Sequence, residues 1–123
     1  MNEPKTLPAS MRPKKRYIVF EIISETPVLY KDVNFAAWGS FLSLLGHAGC
    51  ADAKILVLEN LYDQSAQRGV VRCRSSHVEQ VRAALALVSI IGESRSIIKV
   101  LGVTGTISSA STKYDAGTNP DSS

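Results

Sequence analysis

Cysteine is scarce in this chain: two residues, Cys50 and Cys73, in 123. Two thiols make no disulfide framework, so the fold must rest on its core. Long apolar runs are also missing. The longest, Ala83 to Val88, falls far short of the roughly 20 residues of a membrane-spanning helix. Ile18 to Ile23 follows basic residues as a signal core would, but Glu21 breaks it, it is too short, and no small-residue cleavage site follows. These absences predict a cytoplasmic protein with no membrane partner. No internal repeat is visible.

Catalytic constellations are missing too. Glu21, Glu25, Glu59 and Asp63 are spread over separate segments, and neither histidine nor cysteine has an evident base and orienting partner. Gly102, Thr104, Gly105 and Thr106 lack the pattern of a phosphate loop, and no helix follows them. His47 with Cys50, and Cys73 with His77, offer zinc-type ligands, but their spacings are not those of a finger pair. The sequence therefore predicts no catalytic residue, no metal site and no cofactor in this chain.

What is present is an ordinary globular composition, 45% hydrophobic and 20% charged, enough for one domain. The net charge of +3 is unevenly placed. Lys5, Arg12, Lys14, Lys15 and Arg16 face only Glu3 in the first sixteen residues, whereas acids and bases balance from 17 to 109. With Pro4, Pro8 and Pro13, residues 1–15 read as a disordered basic arm. Such an arm either grips phosphates or keeps the chain soluble. Residues 108–123, rich in Ser, Thr, Gly, Asn and Asp, read as a disordered polar tail. The domain is expected at 16–107.

Within it, Arg16 to Ser24 alternates as a strand does. Asp32 or Asn34 can cap a helix with the stripe Phe35, Trp38, Leu42 and Leu45, widened by Phe41 and ended by Gly46 and Gly49. A strand at Lys54 to Tyr62, a loop at Asp63 to Arg68 and a strand at Gly69 to Arg74 follow. Ser76 and Glu79 form a capping box for a helix that buries Val78, Val81, Leu85 and Val88. Gly92 to Ser94 turns into a last strand, Arg95 to Ile107. The order βαββαβ predicts an α+β fold of the ferredoxin-like, RRM-like kind. It is a four-stranded antiparallel sheet with both helices on one face.

On the third strand, alternation turns Val71 and Cys73 towards the helices and leaves Val70, Arg72 and Arg74 on the open face. The two arginines either meet RNA or a partner, or pair across the sheet with Glu21 or Glu59. An RNA-recognition sheet stacks bases on third-strand aromatics. Arg68-Gly69-Val70-Val71-Arg72-Cys73-Arg74 has none, and Tyr17 is the one candidate ring. That pattern favours phosphate and shape contacts, or an open face buried by protein. The RNA-binding candidates are Lys14, Lys15, Arg16, Arg72, Arg74 and Lys99. Tyr17, Val19, Val70 and Leu101, with Val57 and Leu61, make an apolar patch expected to meet a partner.

Taken together, Arg16-Tyr17-Ile18-Val19-Phe20-Glu21-Ile22, Gly69 to Arg74, Val78 to Leu87 and Lys99 to Ile107 resemble the protein component 2 family of archaeal and eukaryotic ribonuclease P. The resemblance covers most of the chain, in order and spacing. It departs at Ser108, where the family pattern has a basic residue. It implies a noncatalytic subunit of the ribonucleoprotein that removes the 5′ leader from precursor tRNA. Magnesium and the hydrolysis would belong to the RNA subunit. Implied partners are ribonuclease P RNA, precursor tRNA and protein component 3, with a homodimer inside a heterotetramer. Two other readings fit the same topology: a small-ligand regulatory module and a protein-interaction scaffold.

Overall fold

The computed structural model describes residues 14–110. Five strands form one antiparallel sheet in the order β2-β3-β1-β5-β4. They are β1 (Lys15–Ser24), β2 (Leu56–Val57), β3 (Arg68–Arg74), β4 (Ile90–Ile91) and β5 (Ser94–Thr104). Two helices, α1 (Tyr30–Ala53) and α2 (Val78–Ala86), connect them. Residues 107–110 add a last helical turn. The expected sheet of four strands is thus one of five. The extra strand, β4, is a hairpin arm two residues long, closed through Gly92 and Glu93 onto Ser94. Gly92 takes φ 62 while Glu93 does not, the arrangement of a type II′ turn, whose first central position favours glycine.

Alternation sorts the central strands as expected. Ile18, Phe20 and Ile22 of β1, Val71 and Cys73 of β3 and Ile98 of β5 share the main core. Val33, Ala37 and Phe41 of α1 and Val81, Ala84 and Leu85 of α2 close over them. Gly69 is required here: a Cβ would sit 2.7 Å from the Phe20 ring and 3.1 Å from that of Tyr62. A bulge at Leu101 shifts β5, since Val19 faces Gly102 while Phe20 faces Val100. The extra residue leaves Leu101 on the same side as Val19, and Leu101 packs with it on the open face.

Several elements depart from the sequence reading. Helix α1 starts at Tyr30, before Asp32 and Asn34, and no side chain caps it. Gly46 breaks its helical path as expected, with φ 74 and ψ 173, but the helix resumes beyond it and passes Gly49 to reach Ala53. Its buried residues are Val33, Ala37 and Phe41, with Trp38 and Leu45 at the margin. Phe35 is 82% exposed and Leu42 also faces outward. The expected stripe is therefore split: Phe41 is core and Trp38 and Leu45 pack at its margin, while Phe35 and Leu42 lie on the outer flank of the helix. The second strand shrinks to Leu56–Val57 and breaks into a 3-10 turn at Glu59–Leu61. Val57 joins the main core, and Leu58 takes its expected place on the other face. Ser76 does not cap α2: its hydroxyl pairs with the His77 ring at 2.9 Å, and a 3-10 turn precedes the helix.

The chain end differs as well. Ser108 to Ala110, assigned by composition to a polar tail, belong to the last helical turn. Thr106 Oγ1 accepts the Ser109 N–H at 3.0 Å and starts that turn. Ala110 is fully buried against Val19 and Val70, beside Tyr17, Leu58, Leu61 and Leu101. The remaining residues of the expected arm and tail lie outside the described range.

Candidate nucleic-acid interface

The open face is a ladder of registered rows. Lys15 stands opposite Arg74. In the next row Leu56, Arg72, Tyr17 and Thr104 follow one another across β2, β3, β1 and β5. Val19 and Val70 come next, then Glu21 with Arg68 on one side and Lys99 on the other. The last row pairs Ile23 with Ile97. Because facing residues on an antiparallel pair project to one side, the start of β1 and the end of β3 bring Lys15, Arg72 and Arg74 together. Lys14 is adjacent, with its carbonyl accepting the Ser75 N–H at 2.8 Å.

Ion pairing separates these bases by role. Glu21, one expected partner of Arg72 and Arg74, is taken by Arg68 at 2.6 Å. Arg74 reaches Asp52 at the end of α1, 3.8 Å away. His77 meets the same carboxylate at 3.3 Å. Arg72 makes no ion pair among the described residues, and its Nε is buried without an acceptor. The alternative of a cross-strand lattice with Glu21 or Glu59 therefore does not form around Arg72 or Arg74. A guanidinium that keeps its charge and lacks an acid can still accept an anion.

Two of the six expected RNA-binding residues stand apart. Arg16 faces Cys73, on the helix side of the sheet, and its guanidinium turns back to the Lys15 carbonyl at 3.0 Å. Lys99 lies in the Glu21 row, six residues along β1 from Lys15, or about 20 Å. The structure gathers Lys15, Arg72 and Arg74, has Lys14 next to them along the chain, and leaves Lys99 at the other end of the sheet.

The expected partner patch is corrected. Val19 and Val70 are buried beneath Ala110 within the chain itself, and Tyr17 and Leu101 are half-buried beside them. A partner cannot reach the two valines while the last turn is in place. Tyr17 is likewise no open stacking ring. Sequence reasoning missed this cover because a serine-rich stretch carries its packing in a single alanine. The signal was Thr106 three residues before Ser109, a capping spacing. It also missed Arg68, read as a loop residue though it opens β3.

The thiols are not poised for chemistry. Burial pushes the Cys73 pKa up to about 11 and raises that of Cys50, which favours the neutral thiol over the nucleophilic thiolate. His47, Cys50, Cys73 and His77 do not gather into a metal-holding group among the described residues. No described helix is long and apolar enough to cross a membrane.

A family model for the Rpp14/Pop5 family matches residues 16–114. The chain belongs to this family. Its span runs past Ile107 and takes in the covering turn. The ribonuclease P protein component 2 of Pyrococcus furiosus is 43% identical over 111 residues, covering 90% of this chain and 91% of the relative. That of Methanosarcina mazei is 39% identical over 112 residues, with 89% and 91% covered. A chain in the cryo-EM structure of yeast ribonuclease MRP superposes with a TM-score of 0.58 at 8% identity, over 77% of this chain and 76% of that one. That likeness is one of fold alone.

Proposed function

We propose that the chain is a noncatalytic protein subunit of ribonuclease P and supports its catalytic RNA during removal of the 5′ leader from precursor tRNA. Family membership gives the role, and the observation that carries the RNA contact is Arg72. Its uncompensated guanidinium stands in a row with Tyr17 and next to the Lys15–Arg74 row. Phosphate oxygens complete such a cluster, whereas a base-stacking readout has no exposed ring here.

Ribonuclease P RNA and precursor tRNA are its nucleic-acid partners on this reading. Component 3 is its protein partner, and two copies of the chain sit in a heterotetramer. The chain holds no cofactor, the magnesium belongs to the RNA subunit, and the complex works in the cytoplasm. With the short β4 set aside, we read the sheet order as ferredoxin-like. The partner surface passes from the covered open face to the flank of α1, where Phe35 and Leu42 are exposed beside the half-buried Trp38.

Reconstitution tests the role. The chain alone is expected to leave precursor tRNA intact. Added to the RNA with its protein partners in magnesium, it is expected to raise 5′-leader removal. Cleavage by nuclease-free chain alone, abolished by a point substitution in it, overturns the reading.

A further inference from the structure

Strand β5 is eleven residues long, and its two edges are not alike. Along β1 it is paired from Ser96 to Thr104. On the outer edge β4 covers only Ser94 and Arg95, and the Ser96 N–H reaches the Ser89 carbonyl at 2.9 Å. Backbone groups alternate in direction along a strand, so Ile98 and Val100 turn theirs outward as Ser96 does. The opposite strand agrees: Ile22, which faces Ile98, sends its N–H away from β5 to the Gln67 carbonyl at 2.7 Å. Among the described residues no strand meets this stretch of edge.

The side chains beside that edge carry a pattern. On the open face Ile97 is 62% exposed and its cross-strand neighbour Ile23 is 54% exposed. Lys99 follows, then the half-buried Leu101. Lys99 faces Glu21, but that carboxylate is held by Arg68 at 2.6 Å. Lys99 has no ion pair among the described residues. The edge thus offers apolar, cationic and apolar side chains at alternate positions beside free backbone groups.

We propose that the outer edge of β5 around Ile98 and Val100 is a strand-addition site for an extended segment of a partner protein, one carrying an acidic residue between two apolar ones at alternate positions. Backbone hydrogen bonds supply the register, and the side chains opposite Ile97, Lys99 and Leu101 supply the choice of partner. A second copy of β5 is a poor occupant. Antiparallel self-pairing sets Lys99 against Lys99 or against Ile97, and neither brings a carboxylate. RNA has no alternating amide edge to extend the sheet and does not bury the isoleucines.

Fluorescence anisotropy of the full chain with a labelled peptide of about seven residues, a usual strand length, tests this. The peptide alternates valine and threonine around a central glutamate. Saturable binding is expected, weakened about fivefold by Lys99→Glu and restored when the peptide's glutamate is replaced by lysine. N-methylation of the peptide amides that face the edge should abolish binding, while N-methylation of the alternate amides should leave it. Absence of saturable binding overturns the proposal. So does binding indifferent to N-methylation, or a loss on Lys99→Glu confined to RNA affinity or to self-association.

Discussion

Arg68 closes on Glu21 at 2.6 Å across the β1–β3 ladder, and this contact decides what the other open-face cations can do. It consumes the carboxylate that Arg72 or Lys99 would otherwise share. Side-chain exposure is 10% for Arg68 and 24% for Glu21, so the pair is largely shielded from water. Glu21→Gln should therefore lower unfolding free energy by about 1–3 kcal/mol, the cost of leaving a shielded charge without its partner. Urea denaturation checks this, and an unchanged midpoint would contradict it.

Arg72→Ala combined with Arg74→Ala should weaken binding to ribonuclease P RNA by about 1–3 kcal/mol and make the salt dependence shallower, because fewer counterions are released. Stability should barely change, since Arg72 has no ion pair and the Arg74–Asp52 contact is exposed. A lower melting temperature with unchanged RNA affinity would assign the arginines to the fold instead.

These two arginines also show how far the sequence could be read. Strand alternation has a period of two and a clean apolar-polar contrast, so the outward turn of Arg72 beside the buried Val71 and Cys73 was legible. Their acids were not. Asp52 comes from the far end of α1, and Arg68, which takes Glu21 and leaves Arg72 without an acid, reads as a loop residue one position before the strand it opens. Helix α1 misled for a different reason. It is apolar on more than one side, so Phe35-Trp38-Leu42-Leu45 and Val33-Ala37-Phe41 are both credible stripes, and only packing chooses between them. Strand β4 is too short to announce itself by period, and Ala110 is one small residue in a polar stretch.

Ala110→Asp tests the cover over the open face. A carboxylate there would be driven against Val19 and Val70, so the last turn should detach. We expect a loss of about 1–3 kcal/mol, together with faster amide exchange at Thr106 to Ala110 and increased binding of a hydrophobic dye. An unchanged exchange profile would mean that the turn does not depend on this residue.

The buried thiol predicts an alkaline limit to stability. Folding raises the Cys73 pKa from its ordinary value of 9.0 to about 11, chiefly by desolvation. Tyr62 is likewise raised, to about 12, by burial first and by Asp63 second. Both groups are neutral when protonated, so their contribution is whole below the unfolded pKa. It is lost as pH rises towards the folded one, because the unfolded chain ionises first. Stability should hold near neutrality and fall from about pH 9 to 11 through Cys73 and from about pH 10 to 12 through Tyr62. Cys73→Ala should flatten part of that slope, and an unaltered slope would assign the decline to tyrosine.

The flank of α1 carries the last prediction. Phe35 is 82% exposed, Leu42 lies two turns further along the same side, and Trp38 stands between them, edge-on to Phe41 with ring centres 5.5 Å apart. An apolar stripe this open contributes little to the isolated fold, so Phe35→Asp with Leu42→Lys should shift its stability by no more than about 1 kcal/mol. If component 3 docks there, the same double substitution removes central apolar contacts and should cost about 2 kcal/mol or more of binding. Trp38 is the only tryptophan in the chain, so its emission should move to shorter wavelength when component 3 binds and stay put in the double variant. Calorimetry supplies the affinity. A full-strength complex formed by the double variant would move the partner surface off this helix.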